Sequence, residues 1–287
     1  MTNPPVGRPV AGPSTREHAP SAATMVVGAY LRSLRRSRDT TLRDTGRVIR
    51  SSAAKISRLE TGVSPQRDPD VAGLLRHYKI DPSAIRATCE MARALRRDQH
   101  ADFAPGWPAR LAACEQEATA VRVFAMYLIP DILQIPAYTS LIPDPEGARS
   151  EPRALPPGHA EITLLLDESV LRRPFSAPAV VAAQIAHLQD RTATGELTVL
   201  VVPLAAGVFS HSTLMTELTL HGQTLIVDDL GTPLYSTGAP GRNRSEVLDA
   251  AFDAAVPAER SAEMLEETRS RFEQLAAEWT QPERPTT

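Results

Sequence analysis

The apolar positions in the first third of the chain recur at helical spacing. Val27, Leu31 and Leu34 lie three or four residues apart, with arginines on the opposite side, which predicts an amphipathic helix from residue 26. A second short helix fits residues 42–49. A third begins after Ser51-Ser52, either of which can cap it, and ends before Gly62, a natural helix terminator. Asp70 or Pro69 opens a fourth, with Val71, Leu74, Leu75 and Tyr78 on its buried side. Asp81-Pro82 starts a fifth that runs through Arg97, because Asp caps a helix and Pro suits its first turn.

Beyond residue 97 the pattern changes. Residues 98–109, with Phe103-Ala104-Pro105-Gly106-Trp107-Pro108, read as a hinge or connector. Helices are expected over 110–128, 159–171, 178–191, 243–255 and 258–279. Pro143, Pro145, Pro152, Pro156 and Pro157 mark a loop. The run Leu197-Thr198-Val199-Leu200-Val201-Val202 reads as a buried strand ending at Pro203. Residues 214–220 and 224–227 read as strands of a hairpin turning at His221-Gly222-Gln223. Residues 1–24, rich in Pro, Ala, Ser and Gly, cannot bury a core and are expected to form a disordered tail, as are residues 281–287. The expected fold is mixed α+β. An all-α domain over 25–97 and a connector at 98–109 precede a larger α/β domain over 110–280.

Composition narrows the function classes. The hydrophobic share of 42% and charged share of 23% are those of an ordinary globular protein. No apolar run approaches the roughly 20 residues that cross a bilayer, and the N-terminus has no apolar core of a signal peptide. Cys89 and Cys114 lack metal or redox spacing, so reduced thiols in the cytoplasm are expected. Charge is uneven. Residues 25–79 carry twelve Lys/Arg against five Asp/Glu, a net of +7, and residues 1–24 carry +1, which leaves −11 for residues 80–287 of a chain at −3. A basic module on an acidic body is the electrostatic signature of a nucleic-acid binder with a separate regulatory domain.

Residues 41–62 fit a helix-turn-helix. Gly46 offers the small residue that two helices need where they cross. Leu42, Val48 or Ile49, Ile56 and Leu59 offer the apolar anchors. The exposed face of the third helix would present Ser52, Ala53, Ala54, Lys55, Ser57 and Arg58 to the major groove of double-stranded DNA. Arg43, Arg47, Arg50 and Arg67 would reach flanking phosphates. Glu60 reads as structural, a partner for Arg32 or Arg35. Because one recognition helix covers one half-site, a homodimer is expected.

The string Ile49-Arg50-x-Ser52-x-x-Lys55-Ile56-Ser57-Arg58-Leu59-Glu60-x-Gly62, followed by Arg67-Asp68-x-Asp70-Val71-x-x-Leu74-Leu75-x-x-Tyr78, resembles the Xre-type regulators of actinomycetes, in particular their WhiJ-like, antitoxin-like class. The resemblance continues through Glu115-x-x-Ala118 and Leu128-Ile129-Pro130-Asp131-Ile132-Leu133-Gln134-x-x-x-Tyr138. It extends to Asp167-Glu168-Ser169-Val170-Leu171-Arg172-Arg173-Pro174, Gln184-x-x-x-Leu188 and Val199-x-Val201-x-Pro203 with Gly207. Gly106-Trp107-Pro108 stands where the family carries Gly-Trp-Trp, Asp131 replaces a Gly, and Phe175-Ser176 stands where another Gly is usual. The resemblance implies a transcriptional regulator whose C-terminal domain answers to a small protein partner, often encoded nearby, or to a small-molecule ligand.

Residues suited to catalysis do not converge in the sequence. Asp167 and Glu168 are adjacent, so on a helix they point about 100° apart, and a cap or a salt bridge to Arg172 accounts for them. His18, His77, His100, His159, His187, His211 and His221 lack the spacing of a helical zinc pair. Ser210-His211-Ser212 has no nucleophile elbow, and Asp228-Asp229 reads as a solvated strand end. No catalytic residue, metal ligand or cofactor is assigned. Two other readings stand beside the regulator. One is an enzyme or small-molecule binder of secondary metabolism with a vestigial helix-turn-helix. The other is an interaction protein whose basic module meets an acidic partner.

Overall fold

The structure, a computed structural model, describes residues 20–94, 97–142, 161–173, 177–207, 209, 214–229 and 231–278. Five helices come first: α1 (Ala22–Arg36), α2 (Leu42–Val48), α3 (Ala53–Glu60), α4 (Asp68–His77) and α5 (Pro82–Arg93). Four begin on a side-chain cap. Ser21, Thr41, Ser52 and Asp81 accept from the backbone N–H groups of Thr24, Asp44, Lys55 and Ser83. The first helix starts inside the stretch expected to be tail. Ala22, Ala23 and Thr24 are buried, and Gln66 Nε2 donates to both Thr24 O and Leu59 O, tying this first turn to the end of α3. Small residues that look like linker in composition are here the close-packed start of a helix. Residues 1–19, the proline-rich loop at 143–158 and the tail at 281–287 lie outside the described residues.

The connector is part of the fold and not a free hinge. The fifth helix ends at Arg93, short of Arg97, and β1 (Gln99–Ala101) pairs antiparallel with β7 (Pro233–Ser236). The next helix, α6 (Trp107–Glu117), already begins within the supposed connector. Arg110, fully buried, pins the region. It holds the Asp102 carboxylate through Nε and Nη2 at 2.7 Å each, and it also donates to Thr88 Oγ1 on α5 and to Pro105 O. The guanidinium therefore bonds the helical domain to the start of the body.

Two expected helices are partly strands. In residues 110–128 the helix stops at Glu117 and β2 (Ala120–Ala125) follows, its Val121 and Val123 alternating into the core. Where 159–171 was expected helical, the structure has β3 (Glu161–Asp167) and a short α8 (Glu168–Arg172). Ile162-Thr163-Leu164-Leu165-Leu166 is a continuous apolar run, which periodicity alone does not separate from a helix, and β3 is buried on both faces between parallel neighbours. Residues 131–133 form a single 3₁₀ turn before α7 (Pro136–Thr139). The remaining elements are α9 (Pro178–Ala193), β4 (Thr198–Val202), β5 (Leu214–Leu220), β6 (Gln223–Asp229), α10 (Gly238–Ala254) and α11 (Ala258–Glu278).

The seven strands form one sheet in the order β1-β7-β6-β5-β2-β3-β4. β2, β3 and β4 run parallel, and the other pairings are antiparallel. One face carries Val121, Val123, Leu164, Leu166, Val199, Val201, Leu218, Leu225 and Tyr235 into the large core with α1, α6, α9 and α11. The other face carries Phe124, Leu165, Val202, Met215 and Ile226 against Leu248 and Ala251 of α10. The whole is mixed α+β, an all-α domain followed by a larger α/β domain, as the sequence led one to expect. The two share α1, which packs on α3 on one side and on α6 on the other.

Candidate nucleic-acid interface

Gly46 sets the angle between α2 and α3. A Cβ at this position would lie 2.6 Å from Ser51 O, and Ser51 N–H donates to Gly46 O at 2.8 Å, so the turn folds directly onto the α2 backbone. Arg50, in that turn, takes a left-handed φ of 51°. Of the two alternatives for the anchor on α2, Ile49 packs against the core and Val48 is exposed. Ile56 and Leu59 of α3 are fully buried. With its apolar side so committed, α3 turns Ala54 and Arg58 out to solvent and leaves Ala53, Lys55 and Ser57 half-buried.

The structure places the ten expected contact residues on this helix pair and the loop that follows. Arg43, Arg47, Arg50, Ser52, Ala54, Arg58 and Arg67 are exposed, and Ala53, Lys55 and Ser57 are half-buried. Ser52 is also the cap of α3. Several of these groups already have local partners. Lys55 Nζ donates to Asp70 Oδ2 at 2.6 Å, Arg47 pairs with Asp44 at 2.6 Å, and Arg58 Nε donates to Ser64 Oγ at 3.1 Å. Arg58 thus keeps both terminal nitrogens of its fork for another acceptor.

Behind the exposed surface lies a charged frame. Glu60, 3% exposed, accepts from Arg35 Nε and Nη2 at 2.7 and 2.9 Å, which selects Arg35 over Arg32 as its partner. That bond with Glu60 raises the Arg35 pKa, so the guanidinium is held charged. Arg32 turns to the body instead. Arg32 and Arg36 both donate to Glu117 Oε2, at 2.8 and 2.9 Å, and Ser33 donates to Gln116. Glu117 and Arg110 do not stand out in the sequence pattern, and Asp70 stands out there as a helix start and part of a motif, not as a partner of Lys55. Three arginines on one helix, at 32, 35 and 36, facing two ways were the available signal that α1 has acidic neighbours on two sides.

The acidic pairs considered for catalysis are engaged structurally. Asp167 caps α8 by accepting from Ser169 N–H at 2.8 Å. Glu168 bonds Arg172 and accepts from Leu204 N–H at 2.9 Å. Burial works to raise its pKa, but the Leu204 and Arg172 bonds outweigh it and hold the carboxyl below its usual range. Asp228 pairs with Arg244, and Asp229 accepts from Gly231 N–H. Residues 210–213 lie outside the described residues. Among the described residues, no group of three or more His, Cys, Asp and Glu is arranged to hold a metal ion, and no helix is long and apolar enough to cross a membrane.

Comparison with known families matches both halves of the chain. Residues 26–88 match a helix-turn-helix domain, which supports a DNA-binding regulator, and residues 108–267 match a domain of unknown function, DUF5753. No curated protein and no solved structure matches the chain. The second match spans more than half of the 287 residues, and the chain belongs to the DUF5753 family, with a helix-turn-helix domain at its N-terminal end.

Proposed function

We propose that the chain is a sequence-specific transcriptional regulator of the Xre type, antitoxin-like in class, that acts as a homodimer on double-stranded DNA in the cytoplasm. The observation that carries this is the outer face of α3. Its apolar residues are buried, its exposed side chains are small or hydrogen-bonding, and exposed arginines flank it on α2 and in the loops. Ser52, Ala53, Ala54, Lys55, Ser57 and Arg58 meet the base edges. Arg43, Arg47, Arg50 and Arg67 meet phosphates and set the register. Lys55 exchanges Asp70 for its DNA acceptor on binding, and Arg47 likewise leaves Asp44. The protein performs no catalytic step in this reading.

Control reaches the DNA-binding face through α1. This helix holds α3 by Arg35–Glu60 and holds the body by Arg32 and Arg36 on Glu117. A small protein partner or ligand that shifts α6 therefore shifts the support of the recognition helix.

The test starts with selection of bound duplexes from a random pool, followed by titration of wild type and Arg58→Ala against the selected and a scrambled duplex. Loss of about 1–3 kcal/mol on the selected duplex alone is the outcome expected of a bidentate base contact. Equal losses on both would reassign Arg58 to phosphate, and failure to enrich any sequence would overturn the function.

A further inference from the structure

β1 stands at one end of the sheet, and no strand pairs with its outer side among the described residues. Its inner side is identified by two bonds. Thr237 N–H donates to Asp98 O at 2.7 Å, and Asp102 N–H donates to Pro233 O at 3.0 Å. In an antiparallel ladder, residues bonded to the partner alternate with residues whose N–H and C=O face away. Asp98, His100 and Asp102 therefore face β7, while Gln99 and Ala101, both exposed, turn their backbone groups outward. The other edge of the sheet is closed. On β4, Val201 N–H donates to Ser261 Oγ and Val201 O accepts from Val256 N–H, each at 2.9 Å. An open edge is a template for another chain, and among the described residues one edge is closed and the other is not.

Phe103 lies just beyond the open strand and is 72% exposed. Its loop is nevertheless fixed, because Asp102 is held by the buried Arg110 and accepts from Ala104 N–H. A large aromatic ring held in water on a rigid loop is suited to anchor an interface.

We propose that a second copy of the chain pairs antiparallel with β1, across a two-fold axis at His100. The outward groups set the register. Gln99 lies opposite Ala101 of the partner subunit, and Ala101 opposite the partner's Gln99, each pair exchanging both N–H···O bonds. The same register sets Arg97 opposite Phe103 of the partner subunit, so that a guanidinium covers the exposed ring. This pairing favours a second copy over a different chain: the two groups that answer each other, Arg97 and Phe103, flank the same strand at equal distance from His100, as an isologous contact requires. The inference rests on the DNA-binding reading for its purpose. α5 ends at Arg93 and β1 begins at Gln99, so the paired strand follows the helical domain directly in the chain, and a dimer built on it would carry two recognition helices for two half-sites.

The experiment is sedimentation equilibrium of the full-length protein without DNA, from about 1 to 100 µM, the range over which modest interfaces dissociate. Wild type is compared with Ala101→Pro and Phe103→Asp. Proline removes the outward N–H, and a strand edge whose N–H faces solvent accepts it, so pairing with β7 and the circular dichroism should persist. The expected result is self-association of wild type, weakened about tenfold or more in both variants. If Ala101→Pro loses its fold, Phe103→Asp, outside the strand, decides. A wild type that stays monomeric throughout overturns the proposal, as does a dimer that the variants leave intact. Only the surface falls in the second case. DNA binding by a monomer would leave the regulator standing without its dimer.

Discussion

The carboxylate of Glu117 is shared, and that predicts a specific failure of additivity. Its side chain is 4% exposed and accepts from both Arg32 and Arg36, whose side chains are 33% and 49% exposed. Removing one arginine leaves the carboxylate with the other, so Arg32→Ala and Arg36→Ala should each cost about 1 kcal/mol or less, as half-exposed pairs do. Removing both leaves a charge buried between α1 and α6 with neither guanidinium, and a stranded charge of this kind costs about 3–5 kcal/mol. The coupling between the two substitutions is thus at least about 1 kcal/mol, and about 1–3 kcal/mol if each single change costs about 1. Glu117→Gln should fall between these cases, at about 1–3 kcal/mol, because the arginines it releases can rehydrate while the buried amide still offers an acceptor oxygen. Urea denaturation of the four proteins and the double arginine variant, followed by circular dichroism, measures the cycle. Additivity within about 0.5 kcal/mol would refute the shared-acceptor geometry and with it the idea that this contact joins the domains.

Two further outcomes follow from packing. Gly46→Ala should lower the melting temperature: alanine gains about 1 kcal/mol of helix propensity, but its Cβ would stand 2.6 Å from Ser51 O, a backbone atom, and overpacking costs about 1–3 kcal/mol. A higher melting temperature would show that the helices do not cross there. Burial pushes the thiols of Cys89 and Cys114 above their usual range, most strongly at Cys114, which is fully buried. An alkylating reagent at neutral pH should therefore modify Cys89, 6% exposed, first and reach Cys114 only on unfolding; rapid native labelling of Cys114 would contradict the packing of α6 on the sheet.

The five N-terminal helices were legible because each is bounded by local chemistry. Ser52, Asp81 and Gly62 act within a turn of the residues they cap or stop, and Val71, Leu74, Leu75 and Tyr78 mark one face of one helix. The buried side of α3 was legible for the same reason, since Ile56 and Leu59 lie on one face of the helix. What stayed hidden depends on partners far along the chain. β3 takes its strand form from parallel neighbours on both sides, and β7 and β1 are short pieces defined by each other. Phe103 to Pro108 looks like a hinge until Arg110, two residues beyond it, is seen bonded to α5 and to Asp102. Likewise the choice of Arg35 for Glu60, and of Arg32 and Arg36 for Glu117, depends on which side of α1 each element lies, which spacing along one helix cannot supply.

These pairings change what the charge count means. The net +7 of residues 25–79 suggests a module whose basic groups all face DNA. In the structure, Arg35 is spent inside the helical domain, and Arg32 and Arg36 bind the acidic body. Arg38 donates to the carbonyls of Leu34 and Tyr78. The contrast between basic module and acidic body is therefore partly the cohesion between them: some of the body's negative charge is there to hold α1. In the proposed reading, phosphate and base are met from α2, α3 and the loops beside them, by Arg43, Arg50, Arg58 and Arg67, with Arg47 and Lys55 available once Asp44 and Asp70 give way. Each phosphate contact steepens the salt dependence of binding by roughly 0.9 in logarithmic slope. In the proposed reading these six groups supply the contacts of one subunit, and Arg32, Arg35 and Arg36, already paired with Glu117 and Glu60, are not expected to add to them. In this reading attraction to DNA and attachment of the two domains fall to different faces of the same five helices, and α1, which packs on both α3 and α6, is the proposed route from one domain to the other.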